Sequence, residues 1–336
     1  MEIEKIEKDL ISELVHMGEN PNSIHTHISL VILTKEHVFK IKKSVNLGFL
    51  DFTTLSNRHF YCHQEVRLNK RMAEGIYLDV FPIRYRNGKV TLKGGPGEVI
   101  EYAIYMKRIP DENLMKNILN SGRMTPELVE KIAERIATFH LTTKANEQTL
   151  KFGIIDNFKI NTDENFFQTE KYIGITIEKD EWEYIKSWTD NFYKNNSAQF
   201  EQRIKDNKIK DCHGDLHMEH IAIMDGKVLI FDCIEFNDRF RYGDILNDIG
   251  FLIMDMEFNN AHKEAQFLWQ YYRNFTKEEN VDELLTFYKV YRSYVRGKVT
   301  SFQLDNLREG EIRDELTKNA RRYFKLALSY ASKTSY

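Results

Sequence analysis

Lys210-Asp211-Cys212-His213-Gly214-Asp215-Leu216-His217-Met218-Glu219-His220-Ile221-Ala222-Ile223-Met224-Asp225-Gly226-Lys227-Val228-Leu229-Ile230-Phe231-Asp232 is the stretch whose reading decides this chain. Asp225-Gly226 stands between two apolar runs, and this dipeptide tolerates the positive φ that a two-residue hairpin turn demands, so the segment predicts a β-hairpin. A two-residue turn pairs Met224 with Lys227. Counting outward then sets Ile221 opposite Ile230 and His220 opposite Phe231. The open end of the ribbon gathers Glu219, His220 and Asp232, and the loop feeding it carries Asp215. Burying such groups together is costly without a cation or a polar ligand. Phosphoryl transfer uses this combination: divalent cations neutralise the phosphates, and a carboxylate orients or deprotonates the attacking hydroxyl. Asp232, at a strand end, suits a metal ligand. Asp215, on a loop, suits the incoming hydroxyl.

The flanks set the hairpin in a two-part chain. Ile3, Ile6, Leu10 and Leu14 recur at helical spacing and predict a leading amphipathic helix. Ile28–Leu33 and Val38–Ile41 read as strands joined by a turn at Thr34-Lys35-Glu36-His37. A helix is expected from Thr54 to Ala73, then strands at Tyr77–Tyr85, Val90–Leu92 and Glu101–Met106, with Asn87-Gly88 as a turn and Gly94-Gly95-Pro96-Gly97 as a loop. Beyond Pro110 helical periodicity dominates: Ile132, Ile136 and Phe139; Trp182, Ile185, Trp188 and Phe192; Leu284–Phe302; Leu316–Ala331. The expected class is α+β, a small β-rich lobe over 1–105, a connection at 106–110 and a larger helical lobe over 111–336.

Composition narrows the function. Of 336 residues, 42% are hydrophobic and 29% charged, enough apolar material for large cores. Lys and Arg number 48 against 51 Asp and Glu, a near-balance that argues against a nucleic-acid partner. No apolar run reaches the length of a membrane span, and the polar opening Met1-Glu2-Ile3-Glu4-Lys5 is unlike a signal peptide. Cys62, Cys212 and Cys233 are too few and too odd in number for a disulfide framework, so a reducing, cytoplasmic location is expected and the thiols are read as buried small hydrophobes. The sequence leaves oligomeric state open.

His213-Gly214-Asp215-Leu216-His217, followed by His220 and Asp232, resembles the catalytic segment of aminoglycoside phosphotransferases and related enzymes of protein-kinase-like fold. Phe231-Asp232-Cys233-Ile234-Glu235-Phe236-Asn237, Arg241-Tyr242-Gly243-Asp244, Phe39-Lys40-Ile41-Lys42-Lys43 and Gly48-Phe49-Leu50-Asp51-Phe52 are similar to motifs of a bacterial group identified with that family, and the resemblance extends over nearly the whole chain. It implies a bilobal kinase in which Asp215 is the catalytic aspartate, with His213 and His217 holding its loop. It implies Asp232 as the aspartate that holds Mg²⁺ on the nucleotide phosphates. Lys40 matches the strand lysine for the α- and β-phosphates, and Glu65 matches the glutamate that pairs with it. Lys42, on the same strand face, competes for the lysine role. The segment Met106 to Pro110, led by Met106 and Lys107, matches the stretch whose backbone holds adenine. In some members the module is fused to a P-loop kinase domain, and this chain contains no such motif.

Two departures stand out. His220 occupies the place of the usual asparagine at the second metal position, where imidazole suits hard Mg²⁺ less well than oxygen does. Glu219 or Glu235 would compensate, or the second metal would be absent, or a softer ion such as Mn²⁺ would be preferred. His25-Thr26-His27-Ile28-Ser29 stands where a glycine-rich phosphate loop is expected. Elsewhere the plain structural reading is preferred. His140 is expected as a satisfied core histidine, Trp182, Trp188 and Trp269 as core, and Asp244 as a helix-start carboxylate. Asp248 shares that helix start, and the resemblance implies that it braces the catalytic loop. Arg292, Arg296 and Lys298 either face an anionic substrate or pair with surface acids, exposed pairing being the commoner case. The expected function is ATP- or GTP-dependent phosphoryl transfer, with Mg²⁺ or Mn²⁺, to a hydroxyl of an unidentified small molecule. The alternatives are a nucleotide-binding regulatory pseudokinase and a kinase acting on protein or RNA.

Overall fold

The computed structural model describes residues 2–92 and 94–333. They fall into two compact units: one running to Asn117 and resuming over Glu219–Asp238, the other formed by Ile118–Met218 and the chain from Arg239 onward. The class is α+β, with a curled antiparallel sheet in the first unit and a helical second unit.

In the first unit α1 (Ile3–His16) precedes strands β1 (Asn22–His25), β2 (Ser29–Leu33) and β3 (His37–Lys42). Helix α2 (Leu55–Asn69) follows, then β4 (Tyr77–Arg86), β5 (Lys89–Thr91) and β6 (Glu98–Lys107). The six strands run in the order β1-β2-β3-β6-β4-β5. The apolar stripe Ile6, Leu10 and Leu14 of α1 is buried against Leu30, Ile32, Phe39, Ile41 and Ile83 on one sheet face. The polar side of α1 binds the sheet edges: Glu7 accepts from Ser23 Oγ, and Asp9 accepts from the Val90 N–H. Helix α2 starts where Thr54 accepts from the Asn57 N–H, the side-chain cap expected of threonine at a helix start. Its Cys62 and Val66 pack with Val38, Ile76, Tyr77, Ile104 and Met106 in a second core.

The predicted hairpin forms in the expected register. Ile221–Met224 pairs antiparallel with Lys227–Ile230, Met224 opposite Lys227 and Ile221 opposite Ile230. The Phe231 N–H donates to His220 O at 3.0 Å, extending the ribbon one step. Asp225 and Gly226 have φ of +50° and +73°, the left-handed pair the turn requires. Leu229, Met224 and Phe231 join the α2 core, so the ribbon counts with the first unit although the chain enters the second before reaching it. Strand β1 was not legible beforehand. Asn22-Ser23-Ile24-His25 has no apolar alternation, and it is a strand because β2 pairs with it.

In the second unit, the helices Ile155–Thr169, Lys179–Asn195 and Asp282–Phe302 enclose Phe158, Phe192, Trp188 and Phe287. Trp182 and Trp269 are only half-buried, so of the three tryptophans Trp188 alone is a full core residue. A short antiparallel pair, Ile209–Asp211 with Tyr242–Asp244, delivers the chain to His213. The helices Pro126–Thr142, Ser197–Lys205, Ile245–Phe258, His262–Thr276 and Glu311–Lys333 also belong to the unit. No helix among the described residues is long and apolar enough to cross a membrane.

Candidate active site

On β3, side-chain alternation turns Lys40 and Lys42 to one face, and both reach Glu65 of α2. Lys40 Nζ lies 2.8 Å from Glu65 Oε1, an ion pair rather than an aligned hydrogen bond, and donates to Asp232 Oδ1 at 2.6 Å. Lys42 donates to Glu65 Oε2 at 2.7 Å and to Glu235 Oε1. The two lysines differ in access: 16% of the Lys40 side chain is exposed against 1% for Lys42. Burial pulls the Lys40 ammonium down, but the carboxylates of Asp232 and Glu65 reverse that and hold its pKa well above the ordinary value. Burial likewise opposes Lys42, and Glu235 and Glu65 raise it. Glu235 is pushed up by its own burial, and the adjacent Lys42 charge pulls it partly back.

Asp232 follows the hairpin with φ +60°, the left-handed region that a non-glycine residue enters at a cost of about 1 kcal/mol. Neighbours hold it there. The Asp232 N–H donates to Tyr77 Oη at 3.1 Å, and the Cys233 N–H donates to Asn69 Oδ1 at 2.9 Å. Asn69 Nδ2 in turn donates to Glu65 O at 2.9 Å, so one buried amide ties the helix of Glu65 to the turn of Asp232. Sequence reading missed Asn69 and Tyr77, because a polar residue at a helix end and a tyrosine opening a strand carry no distinguishing local pattern. His220 Nε2 lies 3.5 Å from Asp232 Oδ2. Of the two carboxylates expected to compensate for His220, Glu235 is on Lys42, and Glu219 is exposed and paired with Lys116 at 2.5 Å. The Asp232 side chain is 39% exposed, with an ammonium against one oxygen and an imidazole near the other.

Met106 and Lys107 end β6. Met106 pairs with Val38 and Tyr77, and the N–H groups of Lys107 and Arg108 donate to Ile76 O and Glu36 O. His25–Ser29 is the turn joining β1 to β2, closed by the Thr26 N–H on Ser29 O.

In the second unit the loop His213-Gly214-Asp215 is fixed by its backbone. The N–H groups of His213 and Gly214 donate to Asp248 at 2.7 and 2.9 Å. Burial would raise the Asp248 carboxyl, but hydrogen bonds and charge from His140 and His213 bring it down to about 2. His140 is the satisfied core histidine expected, with Nδ1 on Tyr272 Oη at 2.8 Å and Nε2 on Asp248 at 3.3 Å. Arg292 differs from the surface pairing expected of it. It is buried, and it donates to Gly214 O at 2.9 Å and to Asn247 Oδ1 at 2.7 Å. The Met218 N–H donates to Asp255 at 3.0 Å, closing the far end of the loop. Within it the Asp215 N–H meets His213 Nδ1 at 3.3 Å, and His217 Nε2 lies 3.6 Å from Asp215 Oδ2. The Asp215 side chain is 36% exposed and that of His217 is 5% exposed. Asp244 caps the helix Ile245–Phe258 and pairs with Arg203. All three cysteines are buried and outside any disulfide, and burial pushes the Cys62 thiol up to about 12.

No protein-family model matches the chain. Uncharacterized proteins of Mycobacterium bovis and Mycobacterium tuberculosis are 30% identical to it over 274 residues, which are 82% of this chain and 53% of theirs. The chain thus spans about half the length of the curated relatives it matches. Among solved structures, the choline kinase of Cryptosporidium parvum has a TM-score of 0.58 at 11% identity, covering 97% of this chain and 93% of that one. Amicoumacin kinase in complex with AMP-PNP and Ca²⁺ has 0.54 at 12%, covering 98% and 96%. A thermostable aminoglycoside phosphotransferase in a ternary complex with AMP-PNP and hygromycin B has 0.52 at 10%, covering 98% and 99%. With its curled antiparallel sheet, its helical second unit and these neighbours, the chain has the protein-kinase-like fold of the choline kinases and aminoglycoside phosphotransferases.

Proposed function

We propose that the protein transfers the γ-phosphoryl group of ATP, or GTP, to a hydroxyl of a small molecule in the cytoplasm. The observation that carries this reading is the sharing of Lys40 between Glu65 and Asp232. A lysine held by a helix glutamate and touching a strained, half-exposed aspartate is arranged to exchange that aspartate for nucleotide phosphate. Lys40 is the phosphate-binding lysine. Lys42, sealed between Glu65 and Glu235, keeps Glu65 in place. Asp232 and His220 form the metal side, and this donor set suits Mn²⁺ as well as Mg²⁺. When bound, the divalent ion neutralises phosphate charge. Asp215 accepts the proton of the attacking hydroxyl as its oxygen bonds to the γ-phosphorus and the bond to the nucleoside diphosphate breaks. The nucleotide complexes of two structural neighbours and the small-molecule kinases that share this fold support the class, and a small-molecule acceptor accords with them.

A second reading, a nucleotide-binding regulator without turnover, is favoured by the imidazole of His220 in place of an amide oxygen. Nucleoside diphosphate release from ATP with Mg²⁺ or Mn²⁺ separates the two. Slow turnover that Asp215→Asn and Asp232→Asn each reduce by about 10²-fold or more supports transfer. Binding without turnover supports the regulator, and neither binding nor turnover removes both.

A further inference from the structure

The helix Asp282–Phe302 presents two arginines, one turn apart, to the loop of Asp215. Arg292 is engaged: Asn247 and Gly214 accept from its Nε and one Nη, and the Phe251 ring lies 4.8 Å from its guanidinium. Arg296 is less so. Tyr323 hydrogen-bonds it and lies 5.5 Å beneath it, yet its Nε is buried without a hydrogen-bond partner among the described residues. A buried donor left idle is a cost even where nearby acids offset the charge that carries it. A water satisfies the donor singly, whereas an anion's oxygens take it together with a neighbouring guanidinium N–H. The edge carrying Nε and one Nη matches the two oxygens of a phosphate or carboxylate.

Other charged groups near that face have partners of their own. Lys289 pairs with Glu257 at 2.7 Å, and Asp255 accepts from the Met218 N–H. Asp215 is near enough for its charge to be felt. Burial lowers the Arg296 proton affinity, while Tyr323 and then Asp215 raise it above the ordinary value.

We propose that Arg296 is an acceptor-side anion site, so that the substrate phosphorylated beside Asp215 carries its own phosphate or carboxylate group; this rests on the phosphotransferase reading above. A cationic acceptor would meet Arg296 as a like charge. The chemistry favoured is a hydroxylated organic phosphate or hydroxy acid.

The probe is inorganic phosphate, titrated calorimetrically into the purified chain without nucleotide and again with saturating ADP. The expected result is binding in both states, weakened at least about tenfold by Arg296→Gln, less by Arg296→Lys, and unchanged by Lys318→Gln on the surface. Equal phosphate affinity in wild type and Arg296→Gln would overturn the proposal, as would no binding by the wild type at tens of millimolar (~1–2 kcal/mol of affinity being all that remains there). Loss of phosphate binding under ADP would overturn it too, assigning the guanidinium to the nucleotide's phosphates. Arg296→Lys keeps the charge, and its melting temperature separates misfolding from lost binding. ADP binding is read in the same titrations. Its absence, with the phosphate site intact, would sink the phosphotransferase reading and leave the anion site standing.

Discussion

Lys40 and Lys42 share a strand face and a glutamate, yet their surroundings assign them different work. Lys42→Met leaves Glu235 buried without its cation and Glu65 with Lys40 alone, and removing one partner of such a buried set costs about 3–5 kcal/mol. Lys40→Met leaves Glu65 with Lys42 and costs about 1–2 kcal/mol. Urea unfolding is expected to show the larger loss at Lys42, and nucleotide titration the larger loss at Lys40. The reverse order would exchange their roles. Asp248 offers a pH test. Its folded pKa of about 2 lies below the unfolded carboxylate value, so its stabilisation is complete above pH ~4 and is lost as pH falls toward 2. It amounts to about 2 kcal/mol. Asp248→Asn is expected to be less stable at neutral pH by at least that amount, and the gap to wild type should close in acid. A gap constant from pH 7 to 2 would contradict the assignment. At this scale the sequence was partly legible. Strand alternation put both lysines on one face, but only Glu235, far along the chain, decides which one is sealed. The bracing of His213 and Gly214 by Asp248 followed from the resemblance, whereas the role of Arg292 depends on a helix crossing that no local pattern reports.

The elements were readable where turn chemistry and periodicity agreed. Asp225-Gly226 set the hairpin register correctly, because the two positive φ values leave little choice of pairing. Strand β1 and the two-strand pair before His213 were not readable, since both are short and owe their conformation to a partner strand. Helix packing gives a test of its own. Gly297, inside Asp282–Phe302, would place a Cβ 2.9 Å from the ring of Phe324, a fully buried residue of Glu311–Lys333. Alanine in a helix interior gains about 1 kcal/mol over glycine, while overpacking costs about 1–3 kcal/mol. Gly297→Ala is therefore expected to lower stability by about 1 kcal/mol net in thermal or urea unfolding. A gain would mean that the two helices part more easily than their packing implies.

Over the whole molecule, the first unit is assembled from two distant pieces of chain. Residues up to Asn117 provide the sheet and α2, while Glu219–Asp238 provides Leu229, Phe231 and the carboxylates of Asp232 and Glu235. A fragment of residues 1–117 is expected to show weak, non-cooperative unfolding by circular dichroism, and to gain a cooperative transition when a 219–238 peptide is added. A cooperative transition without the peptide would show that the sheet and α2 suffice.

The split also orders events during synthesis. A ribosome releases the chain from its N-terminus, so the sheet and α2 emerge while the ribbon that completes their core is still unmade. Until the chain passes Asp238, Val66, Ile76 and Ile104 lack their last apolar neighbours, and Lys42 has Glu65 alone. Roughly a hundred residues of the helical unit must be translated in that interval, some 5–20 s at ordinary elongation rates. The half-built sheet is therefore the part of the nascent protein most open to holding chaperones, and slowed translation between Ile118 and Met218 lengthens that exposure.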